Sequence, residues 1–292
     1  MFAPRYFTEF VCTADKCTHS CCIGWEIDID EDTLAYYKSL PEPLGAEILR
    51  TVSENDEGAH FALTAEKRCK NLDKHGLCRI YKSLGHEGLC DICREHPRFY
   101  HISDREEAGL GAACEAAAAL ILASDGYADF VAVDGDGLLY DSSAEFNPRT
   151  ARELLYGLLA DKTLSLTARL AAITARYGAY SADRTVLDGL EYLDDTHRAL
   201  FAQAMSTPTA LSETHAEVCE RFFAYLVYRH ASPARSAEDF VRAVRLALFL
   251  LTLFTALIEK GLLSPIAAAV AVSEEIEYSE QNTQALLFAA MK

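Results

Sequence analysis

The chain has 292 residues, half of them apolar and about a quarter charged, which is the composition of a globular protein and excludes a disordered or low-complexity one. Its formal net charge of −17 argues against nucleic acid as a partner, because an acidic field repels phosphate. The charge is uneven: residues 1–145 hold 27 acids against 13 bases, a net of −14, leaving −3 for the rest.

The opening segment, MFAPRYFTEF, has neither the basic stretch nor the apolar run of a secretory leader, so a cytoplasmic location is expected. Cysteines then dominate. Nine of the ten fall before residue 115, as Cys12-x4-Cys17-x3-Cys21-Cys22, then Cys69-x8-Cys78-x11-Cys90-x2-Cys93, with Cys114 after them. In a reducing compartment, clustered thiols more often hold a metal or do redox chemistry than form structural bridges. A Cys-x2-Cys pair delivers two thiolates to one metal from a single turn, and several such groups close a four-sulfur site for zinc or for an iron–sulfur cluster. The vicinal pair Cys21–Cys22 is constrained, since neighbouring side chains diverge in regular backbone. Either the two serve separate sites, or one binds and the other stands behind it. His19, His75, His86 and His96 are alternative ligands, although surface loops are the commoner place for them. Cys114 opens a helix, where a thiolate is favoured, and Cys219 lies on an apolar helical face and reads as core.

Between the cysteine groups, WEIDID at 25–30 alternates apolar and acidic residues and predicts a short strand with one wet face. Asp30 is placed to cap a helix beginning at EDTLAYYKSL, which PEP at 41–43 interrupts. The acids from Glu26 to Asp32 lack the spacing of an EF-hand loop. CEAAAALILA at 114–123 predicts a helix, and VAVDGDGLLYD at 131–141 a small hairpin. GLGAAC at 109–114 has no convincing strand before it and no third glycine, so a nucleotide loop is rejected.

From residue 149 onward, apolar residues recur at helical spacing in ARELLYGLLA, LTARLAAITARYG, ETHAEVCERFFAYLVYRH, AEDFVRAVRLALFLLTLFTALIEKG and TQALLFAAMK. The longest apolar run, residues 246–258, is too short to span a bilayer and is expected to be a buried helix, with no membrane association. The fold class that follows is all-α, mainly helical, with a small irregular cysteine-rich metal-binding part. The expected division is 1–145 for the cysteine-rich domain and 146–292 for a helical bundle.

The segments FVCTADKCTHSCCIGWEIDIDEDTLAYY, CKNLDKHGLCRIY, LCDICREHPRFY and CEAAAALIL resemble, in order and separation, the flagellin lysine-N-methylase family. ERFFAYLVYRH and EEIEYSEQN are similar to its later, weaker motifs. The cysteine motifs also resemble those of small zinc- or iron-chelating proteins. The resemblance implies transfer of a methyl group from S-adenosylmethionine to lysine on a protein substrate, with flagellin the expected partner. It also implies a [4Fe-4S] cluster, with zinc as the alternative metal. Cys12, Cys17, Cys21, Cys22, Cys69, Cys78, Cys90, Cys93 and Cys114 are the metal ligands it implies. The chain departs from the family pattern after Cys114, where a proline is missing, and around Arg221, where an asparagine is missing. The catalytic base is not legible: carboxylates abound, and Tyr36, Tyr37, Tyr81 and Tyr100 are all available. A non-catalytic metal-chelating interaction module is the second reading.

Overall fold

The structure is a computed structural model and describes residues 1–56, 58–133, 145–180 and 184–290. Its elements run in chain order as β1 (Phe2–Pro4), β2 (Ile27–Asp28), α1 (Glu31–Ser39), α2 (Leu44–Leu49), β3 (Val52–Asn55), β4 (Gly58–Phe61), α3 (Arg79–Leu84), α4 (Asp91–Glu95), β5 (Arg98–Ile102), β6 (Glu106–Leu110), α5 (Glu115–Ala123) and β7 (Phe130–Ala132). The remaining helices are α6 (Pro148–Leu159), α7 (Leu166–Tyr177), α8 (Asp195–Ala204), α9 (Ala216–Ala231), α10 (Ala237–Glu259), α11 (Pro265–Val272) and α12 (Glu280–Ala289). They divide into two compact units, one of Val11–Pro97 and the other of Met1–Phe10 with Arg98–Lys292.

The smaller unit is built on a three-stranded antiparallel sheet, β2-β4-β3, in which Ile27 and Val52 both stand opposite Phe61. Asp30 caps α1 as its type and position predict, accepting from Thr33 N at 2.8 Å. Its second oxygen accepts from Asp91 N at 3.0 Å, so one carboxylate ties the starts of α1 and α4 together. Gly85 ends α3 at φ +73°, a conformation in which a side chain would be strained. The core is small: nine buried apolar side chains, two of them cysteines.

The larger unit has a four-stranded sheet, β5-β6-β1-β7, and all the helices from α5 onward. The first residues of the chain return to this unit as β1, parallel to β6 and antiparallel to β7. Helix α10 is long and apolar enough to cross a membrane, yet 72% of its most apolar window is buried in the unit. It is the central core helix, as its sequence suggested, and packs along α9 with Phe222 and Phe254 at 4.3 Å between ring centroids.

Three expectations need correction. The chain is mainly helical but not all-α, because two small sheets are present. The division falls at residues 11 and 97 instead of 145/146. Strands β5, β6 and β7 and helix α5 bury their apolar faces in the larger core, where Leu110, Ile121 and Leu122 join residues of α9 and α10. A strand, β6, does precede GLGAAC. Its glycines are nevertheless spent on close packing and leave no phosphate cradle: a Cβ on Gly111 would lie 2.2 Å from the Tyr278 hydroxyl. The predicted hairpin at 131–141 lies mostly outside the described residues, and Phe130–Ala132 pairs with β1.

Candidate functional site

None of the ten cysteines is in a disulfide. Five of them, Cys22, Cys69, Cys78, Cys90 and Cys93, belong to the single apolar cluster of the smaller unit, together with Tyr37 and Phe61. Local structure sets each one. Cys78 and Cys90 occupy the N-cap positions of α3 and α4 with extended backbone, beside the first turn of each helix. Tyr81 and Ile80 amides approach Cys78, the Cys93 amide approaches Cys90, and the Asn71 amide approaches Cys69. Short bridges, Leu63 with Cys69 and Leu72 with Cys78, fix the loop that carries two of them.

The electrostatics of this cluster disfavour ionisation of four of its five thiols. Burial, then the neighbouring Cys22 and Cys78 sulfurs, push Cys69 up to about 11. Cys78 is pushed up by burial first and by Cys22 and Cys90. Cys22 rises through its hydrogen bond with Cys21 and through burial. Within the Cys-x2-Cys turn, Cys90 is held down by hydrogen bonds from the Cys93 thiol and amide, and Cys93 rises in return. Thiolates packed this way repel one another unless a cation sits among them. Among the described residues, no three His, Cys, Asp or Glu side chains already converge on one metal-ligating point. The donor set nevertheless fits a thiophilic metal in its chemistry. It offers soft sulfur ligands in apolar surroundings, with backbone amides directed at three of them.

The remaining predicted ligands stand differently. Cys21 is exposed beside Cys22, and Cys12 is exposed as well. Cys17 is half-buried with its sulfur 2.9 Å from Thr13 Oγ1. Cys114 is in the larger unit, at the N-cap position of α5. His75 and His86 are exposed, whereas His19 and His96 are half-buried. Of the tyrosines, Tyr37 is fully buried and donates to Gly88 O at 2.8 Å, while Tyr36, Tyr81 and Tyr100 are exposed. Cys219 is core, as expected, 3.5 Å from Thr255 Oγ1.

Two polar constellations in the larger unit were not found from the sequence. In the first, Glu277 accepts from Tyr225 Oη at 2.6 Å and lies 2.9 Å from His230 Nε2. Its neighbour Glu275 accepts from the amides of Leu193 and Asp194 and meets His197 Nδ1 at 2.7 Å. Both glutamates come from a buried π-helical turn, Ser273–Glu277, between α11 and α12. The second lies on a cleft of about 580 Å³, lined by the loop after α5, the end of α6 and the first half of α9. There Glu220 accepts from Tyr127, Lys162 and Arg169. Burial opposes its charge, but these three donors hold its carboxyl below the usual range. Partners in the two groups are as much as 82 and 93 positions apart, which hides them from local pattern reading. Two signals were available: charged residues interrupt otherwise apolar helical faces, and the segments ERFFAYLVYRH and EEIEYSEQN, which resemble family motifs, contain Glu220, Tyr225, His230, Glu275 and Glu277.

Comparison with known proteins finds curated relatives for part of the chain. It is 28% identical over 130 residues to the flagellar biosynthetic protein FliU of Salmonella muenchen, covering 41% of this chain and 75% of FliU. It is 29% identical over 130 residues to the lysine-N-methylases of Salmonella typhimurium and Salmonella choleraesuis, again 41% of this chain but only 31% of theirs. The chain therefore spans about a third of the length of those methylases. No family model matches, and no solved structure does. The match to the flagellin lysine-N-methylase family is weak but consistent, in agreement with the likeness of the cysteine motifs.

Proposed function

We propose that this chain is a protein-lysine N-methylase whose cysteine-rich unit holds a [4Fe-4S] cluster, with zinc as the alternative metal. One observation carries the reading: five thiols share one small apolar cluster, in a chain similar to lysine-N-methylases. Cys22, Cys69, Cys78, Cys90 and Cys93 would supply the ligands, and Cys12, Cys17 and Cys21 are further donors of the same unit. Bound there, the metal supplies the charge that lets several buried thiolates coexist.

S-adenosylmethionine supplies the methyl group, whose bond to sulfur breaks as the lysine nitrogen bonds to carbon. The lysine must first lose a proton, since its unperturbed pKa is near 10.4. Tyr37 cannot accept that proton, because it is buried and committed to Gly88. Tyr36 and Tyr81, exposed on α1 and α3, are the tyrosines of this unit open to a substrate. The exposed acids Glu26, Asp28 and Asp32 favour a lysine-bearing protein surface such as that of flagellin. A cytoplasmic enzyme acting on flagellin fits this reading.

The test is incubation of the anaerobically purified chain with methyl-labelled S-adenosylmethionine and flagellin, followed by mass spectrometry. Label on flagellin lysines is the expected result. A metal-loaded chain that leaves flagellin unlabelled favours the second reading, a non-catalytic zinc- or iron-chelating module. That alternative rests on the likeness of the cysteine motifs to those of small zinc- or iron-chelating proteins.

A further inference from the structure

The cleft on the larger unit is not explained by packing. Its volume, about 580 Å³, is that of a small-ligand pocket. Four carboxylates (Asp125, Asp129, Glu217 and Glu220) and two cations (Lys162 and Arg221) line it. Glu220 is the deep member, its side chain only 4% exposed. Arg169 supports it from behind, 6% exposed and 2.8 Å from Oε2, and Tyr127 donates to Oε1 at 2.9 Å. These two donors already satisfy a buried carboxylate. A third comes from the cleft side: Lys162 Nζ lies 2.6 Å from both Glu220 oxygens, although the lysine side chain is 66% exposed.

That arrangement joins a rigid, buried receptor to a flexible, solvent-facing occupant. Lys162 comes from the turn between α6 and α7, and holding its long side chain in one place costs rotamer entropy. If it withdraws, Glu220 keeps its charge, because the Arg169 guanidinium stays beside it. Asp129 stays paired with Arg5 at 2.7 Å and Glu220 with Arg169, so the cation left facing Asp125 and Glu217 is Arg221. Arg221 is itself occupied, donating to Leu122 O at 2.9 Å and to the rim acids Asp125 and Glu217.

The geometry points to an ammonium seat, made by Glu220 and Tyr127, that binds the lysine side chain of a protein substrate and that Lys162 of the chain itself occupies until substrate displaces it. The proposal rests on the methylase reading for its substrate class. It assigns recognition and not methyl transfer, since a carboxylate favours the protonated amine, which cannot attack a methyl group. The occupancy of the seat by Lys162 lowers the apparent affinity for an incoming lysine by the fraction of time the seat is open.

The full chain is titrated calorimetrically with Nα-acetyl-lysine amide, and with the norleucine analogue as an uncharged control. If Lys162 fills the seat about nine-tenths of the time, Lys162→Ala binds the lysine probe about tenfold tighter than the parent chain. The norleucine analogue gives no binding, and Tyr127→Phe in the Lys162→Ala background weakens the lysine probe. Glu220→Gln in that background abolishes binding. Because that change leaves Arg169 without its partner, the Tyr127 variant carries the argument should the Gln variant not fold. Lys162→Met serves in the same way if Lys162→Ala is unstable, since it keeps the stem and removes the charge. A folded Lys162 variant that binds the lysine probe no better than the parent, or binds norleucine equally well, overturns the proposal. The titration needs neither metal nor methyl donor. Failure of the seat therefore leaves the methylase reading standing, and loss of the methylase reading does not alter the titration.

Discussion

The two units reach a folded state by different means. The larger one buries an extensive apolar core along α9 and α10, including Phe222, Phe223, Leu250, Phe254 and Leu257, all fully inaccessible. The smaller one, 87 positions from Val11 to Pro97, assembles nine buried apolar side chains, and two of these are cysteines. Its helices α2, α3 and α4 have six, six and five residues, too short to hold themselves. The difference teaches that cysteine in this chain replaces apolar mass: where the core is thin, thiols take its place, and the metal proposed above would add the stability that the core lacks.

The largest effect that sharpens the comparison is expected in the bundle. Phe254→Ala should destabilise the larger unit by about 3–5 kcal/mol, through lost burial and the cavity left against Phe222. Chelator should not change that loss, as read by hydrogen exchange across residues 98–290. A metal-dependent loss there would break the distinction between the units.

Next is a pH effect confined to the larger unit. Burial, helped by Arg229, depresses His101 to about 3, between the rings of Phe99 and Tyr228. A histidine depressed in the folded state contributes stability that is present above its unfolded pKa, near 6.5, and is lost as pH falls toward 3. The loss approaches about 1.4 kcal/mol per pH unit below 6.5. Glu107, held below the usual range against burial by Arg152 and Arg105, adds its own loss as pH falls below about 5. Denaturant unfolding between pH 6.5 and 5.5, above the range where Glu107, Glu220, Glu259 and Glu277 begin to titrate in the unfolded chain, therefore reads His101, and His101→Phe should flatten the slope. An unchanged slope would refute the assignment.

In the cysteine-rich unit, Asp30→Ala removes the cap of α1 and the bond to Asp91 together, at about 1–2 kcal/mol. Faster exchange at residues 91–95 as well as 31–39 is the expected signature. Change limited to α1 would contradict the tie between the helices.

Smallest in stability, within about 0.5 kcal/mol, is charge reversal at the exposed Glu26, Asp28 and Asp32. Its expected consequence is weaker, less salt-sensitive association with flagellin while metal content stays constant. Unchanged association would return these acids to a solubility role.

Much of the fold was legible because it rests on local pattern. The helices after residue 148, the Asp30 cap, the WEIDID strand and the burial of α10 follow from periodicity and residue type. The sheets were not legible, because β1 pairs with residues more than a hundred positions away and RFYHI gives no alternating signal. The same distance hid the break at residue 97, since the cysteine-rich composition continues past it to Cys114. Spacing pointed to a thiol group but could not separate the five clustered sulfurs from Cys12, Cys17 and Cys21. That division depends on which turns enter the small apolar core.

The central claim is that a thiol-held metal organises the cysteine-rich unit, and hydrogen exchange on the anaerobically purified full chain, with metal and sulfide analysis, tests it directly. The account predicts bound metal, loss of protection across residues 11–97 on chelation, and unchanged protection across 98–290. A chain that carries no metal, or one whose residues 11–97 stay equally protected after the metal is removed, would contradict it.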